Sequence, residues 1–148
     1  MAVVTRKQLD EVKLKKELVD VPEWRTPDMA PDDVPQVWVR ELMADERNLY
    51  ESAMFKMEGA GKKATPHMNI RGATVRLAQM GMINPDGSQL YSASRADTEA
   101  IGKLPAAGLE RVCSVIMRLS GITDEDEKEL ERLAANFQKK EINVSGTS

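Results

Sequence analysis

Between Thr26 and Pro35 the chain reads TPDMAPDDVP, with Pro27, Pro31 and Pro35 set among Asp28, Asp32 and Asp33. Proline lacks an amide donor and disfavours helix, and aspartate closes turns with its own side chain, so this stretch is a loop. The segments on either side must then be separate elements, and both alternate. Before the loop, Leu18, Asp20 and Pro22 fall on one side and Val19, Val21 and Glu23 on the other, with a strand running from Glu17 toward Trp24. After it, Gln36 to Leu42 sets Val37 and Val39 on one face and Trp38 with Arg40 on the other, a fitting antiparallel partner. Two strands joined by a long loop are marginal alone, so the pair is expected to lean on helices.

Helical spacing governs most of the remainder. Thr5 caps a short amphipathic segment, Arg6 to Lys15, in which Leu9, Val12 and Leu14 recur while Asp10 and Glu11 lie in the first turns. It is too short to stand alone. From about Ala44 to Glu58 a stripe of Leu49, Tyr50, Ala53, Met54 and Met57 predicts a helix ended by Gly59 and Gly61, although Met43 stands where a capping Ser or Thr is usual. Thr65 and Pro66 read as cap and first turn of a helix with the face Ile70, Ala73, Leu77 and Met80. Asn84 to Gly87 make a tight turn between Met82-Ile83 and Leu90-Tyr91, a miniature hairpin.

Ser94 caps a short helix through Ile101, and Pro105 opens the best core helix, with Leu109, Val112, Cys113, Ile116 and Leu119 at three- and four-residue steps before Gly121 stops it. Thr123 with Asp124, Glu125 and Asp126 starts a last helix whose stripe is thin: Leu130, Leu133, Ala134 and Phe137. The expected fold is α+β and predominantly α, with a small N-terminal antiparallel β-hairpin on a bundle of about four to five helices. Residues 1–140 form one domain: an arm or short helix at 1–15, the hairpin at 17–42 and a helical region at 44–138, followed by a disordered tail at 139–148.

The chemistry on offer is sparse. The 148 residues carry 21 Lys and Arg against 24 Asp and Glu, so the net charge of −3 supplies no field for nucleic acid or anionic membranes. No stretch nears the roughly 18 apolar residues of a membrane span. The single cysteine, Cys113, sits in an apolar run and fits a reducing cytoplasm; His67 is the only histidine and lacks a distinctive neighbour. One Cys and one His cannot hold zinc. Gly59, Gly61, Lys62 and Lys63 lack the spacing of a phosphate loop, and Asn84, Asp86 and Ser88 open like a calcium loop that Tyr91 and Arg95 fail to continue. The acids Asp124 to Glu127 read as solvated helix-start residues. No nucleophile stands beside a base, so neither an enzyme nor a bound cofactor or metal is expected.

Several words occur in a telling order: VPEW (Val21 to Trp24), VWVRELMADERNLYE (Val37 to Glu51), INPDGSQLY (Ile83 to Tyr91), AIGKLPAAGLERVCSVIMRLSGIT (Ala100 to Thr123) and EDEKELERLAANF (Glu125 to Phe137). Across Glu17 to Phe137 this order resembles the tail assembly chaperones of long-tailed bacteriophages. The resemblance implies a non-catalytic protein of the host cytoplasm, absent from the mature virion. It would bind the tape-measure protein, keep it soluble and promote assembly of tail-tube subunits around it. Members of that family are often made in two lengths by ribosomal frameshifting, for which the Lys139-Lys140 pair is a candidate site. The alternative is a structural tail or connector component of the virion.

Partner binding would use apolar helix faces. Leu130, Leu133 and Phe137 are the first candidates, unless that face closes the core; Met54 and Met57 are the next, within a set of methionines that serves either an irregular partner or the protein's own core.

Overall fold

The computed structural model describes residues 1–58, 65–68 and 70–122, with positions 128, 129 and 132 beyond them; of 53–58, 65–68 and 70–72 it describes the backbone path alone. The elements are α1 (Arg6–Asp10), β1 (Lys16–Asp20), a 3-10 turn (Pro22–Trp24), β2 (Gln36–Arg40), α2 (Ala44–Met54), β3 (Phe55–Glu58), β4 (Thr65–Met68), α3 (Ile70–Gly81), β5 (Met82–Ile83), α4 (Arg95–Gly102) and α5 (Ala106–Leu119). The protein is a small α+β fold, mostly helical, with an N-terminal antiparallel hairpin.

The two alternating segments pair as expected, Leu18 opposite Trp38 and Val19 opposite Val37. Val19, Val21, Val37 and Val39 are buried, whereas Leu18 and Asp20 are exposed, so the period of two sorts one face inward. The first strand ends earlier than its pattern suggests: after Val21, Pro22 opens the 3-10 turn that carries Trp24. That turn docks on α5. The Trp24 indole N–H donates to the Pro105 carbonyl at 3.2 Å, and the ring lies so close to Gly108 that a Cβ there would come within 2.6 Å of Nε1.

Beneath the sheet, α5 supplies Leu109, Val112, Cys113 and Ile116, and α3 supplies Ala73, Leu77, Ala78 and Met80, all buried in one cluster with Ile101 of α4. Of the faces the helical spacing predicts, Ala73, Leu77 and Met80 of α3 and Leu109, Val112, Cys113 and Ile116 of α5 are buried, and Leu119 packs against them. The two helices approach closely at Gly81, where any Cβ would collide with the Ile116 side chain. Gly121 ends α5 with a positive φ of 74°, and Gly121 N–H donates to Arg118 O and Ile122 N–H to Met117 O at 3.2 and 2.9 Å. This is a Schellman closure, which satisfies the last carbonyls and folds Ile122 back into the core.

Three expectations are corrected. Met82-Ile83 does not form only a local hairpin: it joins the main sheet as third strand, order β1-β2-β5, with Val39 opposite Met82, and keeps a single bridge from Ile83 to Gln89. Both residues are buried, and a third strand beside β2 covers two adjacent apolar side chains in a way a free two-residue hairpin cannot.

The helix expected to reach Glu58 stops at Met54, and Thr65 with Pro66 does not start the next one; Phe55–Glu58 and Thr65–Met68 pair as a two-stranded ribbon, and α3 begins at Ile70. The region 44–138 therefore contains strands as well as helices. Phe55 and Met57 fit a period of two as well as Met54 and Met57 fit a helical step, and proline's fixed φ suits an edge strand as well as a first turn. Among the described side chains of α2 the inward residues are Glu46 and Tyr50, one turn apart, while Leu49 is exposed.

The start of α2 explains how Met43 serves as its N-cap. Glu46 reaches back to accept the Met43 N–H at 2.9 Å, half of a capping box, and its two oxygens take Arg40 Nη1 and Nη2 at 2.6 and 2.8 Å. Strand β2 and helix α2 are thus joined by a buried, bidentate ion pair.

Candidate protein-binding surface

The first 14 residues contribute nothing to the core. Thr5 caps α1 as the sequence indicates and completes a capping box with Gln8, yet no residue of that helix is buried. Among the described residues the arm's hydrogen bonds stay within it: Leu9 N–H to Thr5 O, Glu11 N–H to Gln8 O and Val12 N–H to Leu9 O. Six large apolar side chains are exposed there, namely Met1, Val3, Val4, Leu9, Val12 and Leu14, with Leu9 at 56% and Val12 at 69%. Scattered exposed apolar residues are ordinary; six within one short arm are a concentration of them. With its base the arm is also basic: Arg6, Lys7 and Lys13 within it and Lys15 and Lys16 just beyond it outnumber Asp10 and Glu11, opposite in sign to the whole chain.

Its base is fixed. Glu41 N–H donates to Lys15 O at 2.8 Å, and Lys15 N–H donates to a Glu41 carboxylate oxygen at 2.8 Å. Immediately beyond, the outer face of the sheet carries exposed Leu18 beside half-buried Trp38, over whose ring the Lys16 ammonium sits 5.4 Å from the centroid. The arm and this face together make a basic, apolar surface.

Other candidate residues fall elsewhere. Met54 ends α2 and Met57 lies in β3, and the described part of both is backbone only. Leu130, Leu133, Phe137 and the acids Asp124 to Glu127 lie outside the described residues, as do Gly59, Gly61, Lys62, Lys63 and the tail 139–148. Of the methionines with described side chains, Met80 and Met82 are core, Met117 packs against it, and Met1, Met29 and Met43 are exposed.

The Asn84 turn spends its polar groups internally. Asp86 accepts both the N–H and the hydroxyl of Ser88, at 2.9 and 2.6 Å, and the hydroxyl bond above all holds its carboxyl below the usual range. Asp97, bonded by Ser92, and Glu23, gripped by Arg111, are lowered in the same way. For Glu46, burial pushes the carboxyl up, but the Arg40 hydrogen bonds, the Met43 N–H and the Arg40 charge together outweigh it and the net shift is downward. These acids therefore stay ionised near neutrality. Burial also pushes the Cys113 thiol up to about 12, and its sulfur donates to Thr74 O at 3.3 Å. A thiol so placed is a poor nucleophile. Among the described residues no cluster of His, Cys, Asp and Glu is placed to share a metal ion, and no helix is long and apolar enough to cross a membrane.

Set against known proteins, the chain matches no family model, no curated sequence and no solved structure. The function must be argued from its own surface.

The sequence marks Leu9, Val12 and Leu14 as sharing a helical side over Arg6 to Lys15; the helix instead ends at Asp10, so Leu9 alone of the three lies on it, and all three side chains are exposed. Periodicity says which residues travel together; only the fold says what they meet.

Proposed function

We propose that this protein is a binding factor for another protein, a tail assembly chaperone whose client is the phage tape-measure protein, with tail-tube subunits as a second partner. The exposed apolar arm carries the proposal: six large apolar side chains displayed on a segment that the core does not need. Apolar side chains in water raise the free energy of such a segment, and closing on an apolar partner lowers it. A tape-measure protein is expected to be long and helical, with apolar stripes uncovered until tube subunits surround it. The five basic residues of the arm and its base suit stripes flanked by acids, and charge steers the encounter more than it fixes the affinity.

Co-expression tests this. A tape-measure protein from the same genome is expected to move from the insoluble to the soluble fraction when the chain is present, and to co-purify with it less well as salt is raised. Equal insolubility with and without the chain would end the proposal.

A further inference from the structure

The main sheet has the order β1-β2-β5, so β1 is an edge, and among the described residues no strand lies against its outer side. Which backbone groups face outward follows from the register. Glu41 N–H bonds Lys15 O and Val21 N–H bonds Pro35 O, both at 2.8 Å, so the odd-numbered residues of this segment exchange hydrogen bonds with β2. Lys16, Leu18 and Asp20 therefore point their N–H and C=O groups away from the sheet. Consistent with this, Arg111 of α5 reaches Asp20 O at 3.2 Å. The side chains of the same three residues are exposed, Leu18 at 39%.

An open strand edge is a template for another strand, and proteins usually blunt it with charge. Here the charges do something narrower. When two copies of β1 run antiparallel about a two-fold axis through Leu18, Lys16 of each lies opposite Asp20 of the other, and Leu18 meets Leu18. The outward N–H and C=O groups of the three residues meet the C=O and N–H groups of the same three residues in the other copy, with Asp20 O using its second lone pair beside the bond from Arg111, so the ladder closes without a bulge. A slip of two residues puts Leu18 against Asp20 or Lys16, and a parallel arrangement sets like charges side by side. Only one register satisfies both the backbone and the charges.

We propose that β1 is a self-association edge, through which two copies join their three-stranded sheets into one continuous six-stranded sheet by an isologous contact. The basic, apolar arms enter beside the joint, since Lys15 and Lys16 are consecutive. Arg118, paired with Glu17 at 2.6 Å, and Arg111 brace the edge from the α5 side. Five-residue strands bury little area, so the pair is a weak and concentration-dependent one. This inference does not depend on the identity of the client.

Sedimentation velocity on the full-length chain tests it, from micromolar to several hundred micromolar. The wild-type chain is expected to shift reversibly from monomer to dimer. Lys16→Asp sets acids opposite acids and Asp20→Lys sets bases opposite bases, and each variant alone is expected to dimerise about tenfold more weakly. Mixed in equal amounts, the two variants restore every opposite-charge contact and are expected to form a heterodimer at about wild-type affinity. Circular dichroism, unchanged in both, shows that the exposed substitutions leave the fold intact. A wild-type chain that stays monomeric throughout, variants that dimerise as well as the parent, or a mixture that associates no better than its components would each overturn the proposal.

Discussion

The α3–α5 interface and the N-terminal arm hold similar residues and put them to opposite use. In the interface, Leu77, Val112 and Ile116 are all but sealed, and Gly81 is bare so that Ile116 can fill the space beside it. In the arm, Val4, Leu9 and Val12 stand in solvent on and around a well-capped helical turn, Arg6–Asp10. Apolar content alone does not distinguish them. What separates them is whether the chain brings a second surface to each, and for the arm it brings none among the described residues. The interface thus contributes to the core, and the arm, among the described residues, does not; this is the ground on which we propose a partner for it.

That contrast is breakable, most forcefully at the core. Ile116→Ala should cost about 2–5 kcal/mol, transfer free energy plus an unfilled cavity, measured by chemical denaturation. A cost under about 1 kcal/mol would mean that α5 is not packed as described.

The Arg40–Glu46 pair comes next, with both side chains only 9% exposed. Arg40→Ala strands a buried carboxylate and should cost about 3 kcal/mol. The pH dependence has a definite sign. Because the folded-state carboxyl of Glu46 lies below its unfolded value, its stabilisation is present above the ordinary glutamate range and is lost as pH falls through the lowered pKa. Glu46→Gln should therefore be less stable than wild type near pH 7, with the gap narrowing below about pH 4. A gap constant with pH would remove the ion pair from the account.

A smaller effect is expected at the end of α5. Gly121 adopts φ 74°, which an alanine tolerates poorly, so Gly121→Ala should cost about 1 kcal/mol. Smallest of all is the arm: Leu9→Ser with Val12→Ser should alter stability by less than about 0.5 kcal/mol, because both side chains already stand in water. The buried Cys113 offers a kinetic counterpart. Its thiol should resist alkylation at pH 8 in the folded protein and react promptly in denaturant.

Much of the fold is legible wherever a period runs long enough. The five apolar positions of α5 and the paired valines of β1 and β2 identify their elements and their inward faces. Where elements are short, several readings fit the same residues. Met82-Ile83 offers two positions, too few to tell a local hairpin from a third strand, and Phe55 to Met57 satisfy two periods at once. Leu49 and Tyr50 are adjacent on one stripe, and it takes the position of α2 to choose Tyr50.

The surface was less legible than the core. Leu9, Val12 and Leu14 announce an amphipathic segment, but whether such a segment docks or remains open depends on contacts that no local pattern encodes. The self-complementary order of Lys16, Leu18 and Asp20 was likewise present in the sequence, without meaning until β1 proved to be an edge.

The central claim is that the arm serves a partner and not the fold. Its most direct measurement compares the soluble fraction of co-expressed tape-measure protein with the wild-type chain and with the Leu9→Ser, Val12→Ser variant. The expected result is a several-fold rise with the wild type that is mostly lost with an equally stable variant. A variant that protects the client as well as the wild type would contradict the account.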